Sequence, residues 1–479
     1  MEKTNMRTLR KAGALFLCAA LLAVGAGCAP QQEGDTGINR KSDLPNYETS
    51  GGTVDIYAYF PGDTEDVLRA MFEADFNAVL MTRPNSYITT NRANLQTALD
   101  TMEALHGEYD FKTYPFTGHM VTDVDYDGEF YSYLTDYDCV GGLYMYDEPW
   151  PNNMADLSNA AQDFLSSKTY GDTDSKYLVT LHPSTVTEDM RWVADYADIS
   201  YEEYVLSYIE DVAEEIGDLS RVWLSADIYP IVAGANGLGE RTLKPSYLYN
   251  VGVIAVYAQR YGLETNIAIQ ALDHLNYPVP TVQDLRLQVN TLFAFGIDTY
   301  SVYTFDTPTI TAEGAVNRQG CYLNGKPTVI YDRVKQVNGE VRAWDQVYTS
   351  FEWQGVITRC SSSVNDTAFR LLQSVAEDEN LLVSPILEPA DTQLVRSLET
   401  DGDILLGYFT DEAGNEGYML TNYAETQSGE PCTTKIAFAG CSGAYVYENG
   451  VKREVPLTGG VLELTLEAGG GAFIVPFGE

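Results

Sequence analysis

The chain has 479 residues, 45% of them hydrophobic, and 29 Lys and Arg against 69 Asp and Glu, a net charge of −40. The ordinary hydrophobic fraction excludes global disorder. So acidic a chain lacks the clustered cations that phosphate backbones require, so no nucleic-acid partner is expected. Only four His are present, and no metal and no cofactor are expected.

Lys3, Arg7, Arg10 and Lys11 precede an apolar run from Ala12 to Ala26, followed by Gly27-Cys28. A basic head, a short apolar segment and small residues describe a secretory signal. The run is shorter than the ~20 residues that span a bilayer. Ala26-Gly27-Cys28 resembles the end of a bacterial lipobox, although Gly25 stands where such boxes usually carry Leu. The resemblance implies that residues 1–27 are removed and that Cys28 is lipidated. Residues 28–50, polar with Gly and Pro, read as a flexible tether. The expectation is an exported protein, lipid-anchored to the outer face of a bacterial membrane.

From residue 51 to 350, short β-branched or aromatic runs alternate with amphipathic stretches. The expected strands are Val54–Phe60, Asn77–Met81, Phe111–Phe116, Gly141–Glu148, Tyr177–His182, Val222–Tyr229, Thr265–Ala271 and Ile297–Phe305. Helices are expected over Tyr204–Ile216 and Pro245–Tyr261. A further one carries Ile330, Val334, Val337, Val341, Trp344 and Val347 at 3–4 residue spacing. Eight strand–helix units over some 300 residues match a (β/α)8 TIM barrel. A doubly wound open sheet is the rival, but VDIYAYFPGDTEDV at the first strand is no GxGxxG phosphate loop.

Strand parity agrees with a barrel. Val54, Ile56 and Ala58 lie opposite Asp55, Tyr57 and Tyr59. Leu143 and Met145 lie opposite Tyr144, Tyr146 and Glu148. Val222, Leu224 and Ile228 lie opposite Trp223, Ser225, Asp227 and Tyr229. One face suits outer helices, and the other turns polar or aromatic toward the C-terminal rim, where barrel active sites lie. Over 351–479 the texture changes to short alternating strands with Gly, Asn and Asp turns, an antiparallel β-sandwich. The fold class expected is therefore α/β, a barrel followed by a small sandwich.

The fourth strand ends in Asp147-Glu148-Pro149-Trp150. Pro149 stops the ladder and leaves two carboxylates at the rim. A carboxyl group desolvated by aromatic neighbours, beside a second carboxylate, has its pKa raised toward that of a general acid. YMYDEP at the fourth strand, ADIYP at the sixth and KPTVIYDRVKQVNGEV at the barrel's close resemble the glycoside hydrolase superfamily of (β/α)8 barrels. The closing segment is similar to that of β-galactosidase-like enzymes, which carry a small β-sandwich after it. The resemblance implies a carbohydrate substrate, with Glu148 as acid/base.

It also implies a nucleophilic Glu at the end of the seventh strand, where this chain has Gln270 in ETNIAIQAL. An amide cannot form a glycosyl ester, so double displacement through that position is not expected. Adjacent Asp147-Glu148 is similar to the pair of N-acetylhexosaminidases, in which the Glu protonates the leaving oxygen and the Asp orients the substrate's own acetamide. Alternatively Asp227 or Asp306 acts as base on a water, giving inversion. A third reading is a non-catalytic carbohydrate-binding lipoprotein of a glycan-uptake system, and a fourth is a surface-assembly scaffold. Further ligand contacts are expected from strand ends at Tyr59, Arg83, His182, Asp227, Tyr229, Gln270, Tyr303 and Asp306, and from Trp150 as a sugar platform.

Asp123, Asp125, Asp127 and Gly128 imitate the start of an EF-hand loop, but Leu134 holds the position that needs Glu. GANGLGE lacks the P-loop Lys. Beyond Cys18 and Cys28, five cysteines remain. Cys432 and Cys441 are near enough to bridge neighbouring strands, but buried free thiols are the expected state.

Overall fold

Alternation along the first strand decides which side faces in. In a computed structural model, Ile56 and Ala58 pack into the helical layer, while Tyr57 and Tyr59 fill the barrel interior. The structure describes residues 38–62, 64–81, 92–118, 122, 124–129, 131–186, 199–233, 241–274, 277–307, 317–376, 384–427 and 429–479. Arg83, Asp123 and Cys28 lie outside the described residues.

The barrel strands are β1 (Ile56–Tyr59), β2 (Ala78–Met81), β3 (Lys112–Pro115), β4 (Gly142–Asp147), β5 (Lys176–Leu181), β6 (Trp223–Asp227), β7 (Glu264–Gln270) and β8 (Thr299–Tyr303). Neighbours in sequence pair in parallel, and β8 returns to β1. Between β3 and β4 the ring closes through the Thr113–Val140 and Phe116–Tyr144 bridges. All eight expected strands are present, with ends that differ by a residue or two from those expected.

The intervening helices are α1 (Glu65–Phe72), α2 (Arg92–His106), α3 (Met154–Ser166), α4 (Tyr201–Tyr208), α5 (Tyr247–Tyr261), α6 (Val282–Ala294) and α7 (Val329–Arg342). After α4 the chain continues through a π-turn, Ile209–Ala213, into Glu214–Ile216. Among the described residues the β3–β4 crossover carries a 3-10 turn, Ser132–Asp136, in place of an α-helix. The α7 stripe is buried as its spacing predicts. Gly252 in α5 lets helix α8 (Asp366–Ala376) approach, since a Cβ there would stand 2.8 Å from Leu372.

The C-terminal strands are β9 (Glu352–Arg359), β10 (Val395–Thr400), β11 (Ile404–Thr410), β12 (Glu416–Asn422), β13 (Cys432–Phe438), β14 (Gly443–Glu448), β15 (Val451–Pro456), β16 (Val461–Leu466) and β17 (Gly471–Phe477). The larger sheet runs Ile386–Leu387, β9, β11, β12, β17, β14, β15, and the smaller β10, β13, β16. All pairs are antiparallel except that of Ile386–Leu387 with β9. One face of the larger sheet carries Leu405, Phe409, Met419 and Phe473 into the barrel's helical core. The other carries Leu406, Tyr418, Leu420 and Ile474 against Ile436, Phe438, Leu462 and Leu464 of the smaller sheet. Burial on both faces explains why β12 and β17 are buried along their whole length.

Residues 38–50, read as part of a tether, are instead pinned to this sheet. Asn39 is fully buried: its N–H donates to Asn415 Oδ1, its amide to Glu416 O and Pro476 O, and its Oδ1 accepts the Glu416 N–H. The Tyr47 hydroxyl donates to Asp411 Oδ2 at 2.8 Å. Cys139, Cys321, Cys432 and Cys441 are buried free thiols as expected, while Cys360 is exposed.

Candidate active site

Strict alternation puts Tyr144, Tyr146 and Glu148 on the inner face of β4, and the structure corrects this. The β4–β5 register slips between Tyr144 and Tyr146: Tyr144 pairs with Leu178, Tyr146 with Val179 and Asp147 with Thr180. The extra residue is a β-bulge, which re-aims everything after it. Tyr146 packs into the helical layer, and Asp147 joins Tyr144 on the inner face, where the Tyr144 hydroxyl donates to its Oδ1 at 2.6 Å.

Around this pair the rim is built from strand ends. The Tyr59 and Tyr144 hydroxyls meet at 2.8 Å, and Tyr59 donates to Thr180 Oγ1 at 3.1 Å. At the end of β6 the Tyr229 hydroxyl donates to Asp227 Oδ2 at 3.0 Å, while Asp227 Oδ1 is buried without a hydrogen-bond partner among the described residues. Tyr229 stacks on Tyr303 from β8, with centroids 5.9 Å apart, and meets Tyr277 edge-on at 5.5 Å. Tyr303 in turn meets Tyr59 edge-on at 5.7 Å. An aromatic wall thus runs from β1 through β8 to β6.

Glu148 follows the bulge in the left-handed region, φ 55°. Its N–H donates to Thr180 O at 2.8 Å, and its Oε1 lies 3.3 Å from His182 Nδ1 with the side chain 44% exposed. The Trp150 ring is 5.1 Å from that of His182.

Electrostatics separates the three carboxyl groups. Burial pushes Asp227 well above the usual carboxylate range, and the Glu148 and Asp147 charges push it further, against the Tyr229 bond. Burial, then the Glu148 charge, pushes Asp147 up to about 6, opposed by the Tyr144 bond and by His182. The bulge turns Asp147 inward beside Asp227 and leaves Glu148 at the lip. With its carboxyl pushed up to about 6, Asp147 is ionised at neutral pH, while burial favours the protonated form of Asp227.

The remaining expected positions divide. Gln270 is fully buried: its Nε2 donates to Pro278 O at 3.2 Å, its N–H to Gln288 Oε1 at 2.8 Å, and its Oε1 is buried with no partner among the described residues. Asp306 sits in the turn after β8, its Oδ1 accepting the Thr307 N–H at 3.0 Å. Asp127 holds the turn that follows α3, accepting the Lys168 and Thr169 N–H groups. Among the described residues no cluster of His, Cys, Asp and Glu is arranged to hold a metal ion. Sequence reasoning missed Thr180 and Tyr204 as site residues. Thr180 shares the parity of Leu178 on the inner face, so strand 5 carried that signal. Tyr204 lies in a helix and carried none.

No family model and no curated protein sequence matches this chain. Among solved structures it is similar to a β-galactosidase from Bacillus circulans sp. alkalophilus, at 8% identity over 90% of this chain and 100% of that one, TM-score 0.47. It is also similar to a β-galactosidase from the psychrophilic Marinomonas ef1, at 10% identity over 88% and 100%, TM-score 0.43. A rhamnosidase from Novosphingobium sp. PP1Y matches at 10% identity, TM-score 0.38, over 71% of this chain and 45% of that one, so this chain spans less than half its length. Identities this low with TM-scores under 0.5 assign no family.

Proposed function

We propose that this chain is a glycoside hydrolase working at the C-terminal mouth of its barrel, with Glu148 as the general acid. The observation that carries the reading is the convergence of buried Asp147 and Asp227 beside the Tyr59–Tyr303–Tyr229 wall, with Glu148 at the lip. Aromatic faces suit pyranose rings, and neighbouring carboxyl groups in unlike surroundings suit acid-assisted cleavage of an acetal.

Asp227 is buried and takes the Tyr229 bond, and the desolvation that favours its protonated form weighs against its acting as base on a water. Substrate assistance fits better. Glu148, accessible at the lip, gives its proton to the leaving oxygen as the C1–O bond breaks, and the substrate's acetamide oxygen closes on C1. Ionised Asp147 accepts the acetamide N–H and balances the charge formed there. Water then attacks C1, gives its proton to Glu148, and releases the acetamide.

The test is hydrolysis of chromogenic N-acetylhexosaminides, galactosides and glucosides by residues 29–479, with Glu148→Gln beside it. Turnover confined to N-acetyl sugars and lost in Glu148→Gln supports substrate assistance. Turnover of sugars without the acetamide removes that mechanism. The second reading, a carbohydrate-binding protein without turnover, is favoured by Gln270, whose amide stands where a retaining enzyme has its nucleophile. Silence across the panel with measurable glycan binding selects it.

Export and a lipid on Cys28 belong to the same proposal. Incorporation of labelled fatty acid into the full chain, absent in Cys28→Ala, tests them.

A further inference from the structure

Two strand ends carry the site, and one buried hydroxyl joins them. Tyr204 in α4 is fully buried. Its hydroxyl donates to Pro149 O at 2.6 Å and accepts the His182 N–H at 3.2 Å. Pro149 follows Glu148 at the end of β4, and His182 follows β5. Tyr201, stacked on Tyr204 with centroids 6.1 Å apart, donates to His182 O at 3.2 Å, so both main-chain groups of His182 are held from one helix.

Glu148 needs such support. A residue with a side chain at φ 55° costs roughly 1–3 kcal/mol and persists only where its surroundings fix it from both sides. Upstream, the Glu148 N–H is fixed on Thr180 O at 2.8 Å. Downstream, the Pro ring has no N–H to offer, and the Pro149 carbonyl is the first main-chain group to be held, by Tyr204.

We infer that Tyr204 is a positioning residue of the site, whose hydroxyl locks the ends of β4 and β5 together so that Glu148 Oε1 and His182 Nδ1 stay in contact. Tyr204 has no hydrogen bond to either carboxylate of the β4 end and acts only through the two backbones. The catalytic consequence rests on the glycosidase reading; the contact itself is tested without turnover.

The readout is the NMR chemical shift of the His182 imidazole in the full chain, which four His make tractable. The groups facing that ring are Glu148 at Nδ1, Asp147 by charge, the Tyr201 and Tyr204 hydroxyls at its backbone, and Trp150 at its face. With Tyr204 intact, Glu148→Gln replaces the carboxylate at Nδ1 and moves the His182 ring signals. In Tyr204→Phe, which keeps the ring and loses only the hydroxyl, the same substitution moves those signals by less than about half as much. An undiminished shift overturns the inference.

Pro149→Ala keeps the carbonyl that Tyr204 holds and serves where Tyr204→Phe does not fold. The Glu148–His182 coupling should survive there, and its loss would assign the contact to the proline ring and overturn the inference. If the chain cleaves a chromogenic glycoside, Tyr204→Phe lowers kcat about tenfold and leaves KM within about twofold. An inert chain with intact coupling rejects the glycosidase reading alone, whereas undiminished coupling in Tyr204→Phe rejects the Tyr204 role alone.

Discussion

Asp147 stands opposite Thr180 across β4 and β5, one step out of simple alternation, with its carboxylate taking a 2.6 Å bond from the Tyr144 hydroxyl. That single bulge turns two consecutive acidic residues into groups with different surroundings. Asp147 is carried inward among tyrosines, and Glu148 is left at the lip beside His182. Without the slip, Asp147 would point into the helical layer and Glu148 would take its place on the inner face.

Asp147 and Asp227 hold their protons more tightly folded than unfolded, which fixes the sign of their effect on stability. The contribution is complete below the ordinary value of 3.8 and, for Asp147, is lost as pH rises through about 6. Asp147→Asn keeps the shape and removes the ionisation. It should match the parent in urea unfolding at pH 4 and be more stable at pH 8, by up to about 3 kcal/mol. Equal differences at the two pH values would show that the Asp147 carboxyl is not desolvated.

Tyr144→Phe tests the bond that defines the bulge. The hydroxyl stabilises the ionised form of Asp147, so its removal should raise the Asp147 pKa beyond about 6 and cost about 1 kcal/mol of stability from the bonds lost to Asp147 and Tyr59. Carboxyl carbon titration by NMR reads the first effect and urea unfolding the second. A lowered Asp147 pKa would mean that the hydroxyl does not donate to the carboxylate.

The barrel was legible because its strands obey period two and its helices period 3.6. Tyr57 against Ile56 and Trp223 against Leu224 already sort inside from outside. The helix stripe from Ile330 to Val347 needed only its spacing. The bulge was not legible, because one extra residue leaves no mark in composition and inverts every facing beyond it. Nor was Tyr204, whose role lies in where its hydroxyl ends, not in its place along a helix. The pinned segment around Asn39 was missed for a related reason: polar residues that read as a tether also supply the side-chain bonds that dock it.

Gln270→Glu asks whether the β7 position can be converted. The amide donates to Pro278 O, and a carboxylate there would face that carbonyl without a donor, fully buried. The substitution should destabilise the chain by about 2–4 kcal/mol and confer no turnover of galactosides or glucosides. Gained turnover would show that the position is a working nucleophile site needing only its carboxylate.

One buried charge couples the barrel rim to the sandwich. Arg241, on the Ile231–Ala233 and Arg241–Leu243 hairpin after β6, pairs with Asp284, whose side chain is fully buried. Asp284 also caps α6 through the Thr281 N–H at 2.7 Å and accepts the Thr426 hydroxyl from the loop after β12. Removing the cation alone strands a buried carboxylate, so Arg241→Met should cost about 3–5 kcal/mol. Adding Asp284→Asn removes the stranded charge and keeps one acceptor oxygen for the Thr281 N–H, with its NH2 turned to donate to the Thr426 hydroxyl, so the double variant should recover part of that loss. A double-mutant cycle by urea unfolding reads the difference. Simple additivity would show that the pair is not coupled and that the hairpin is held by Arg241 on Val279 O alone.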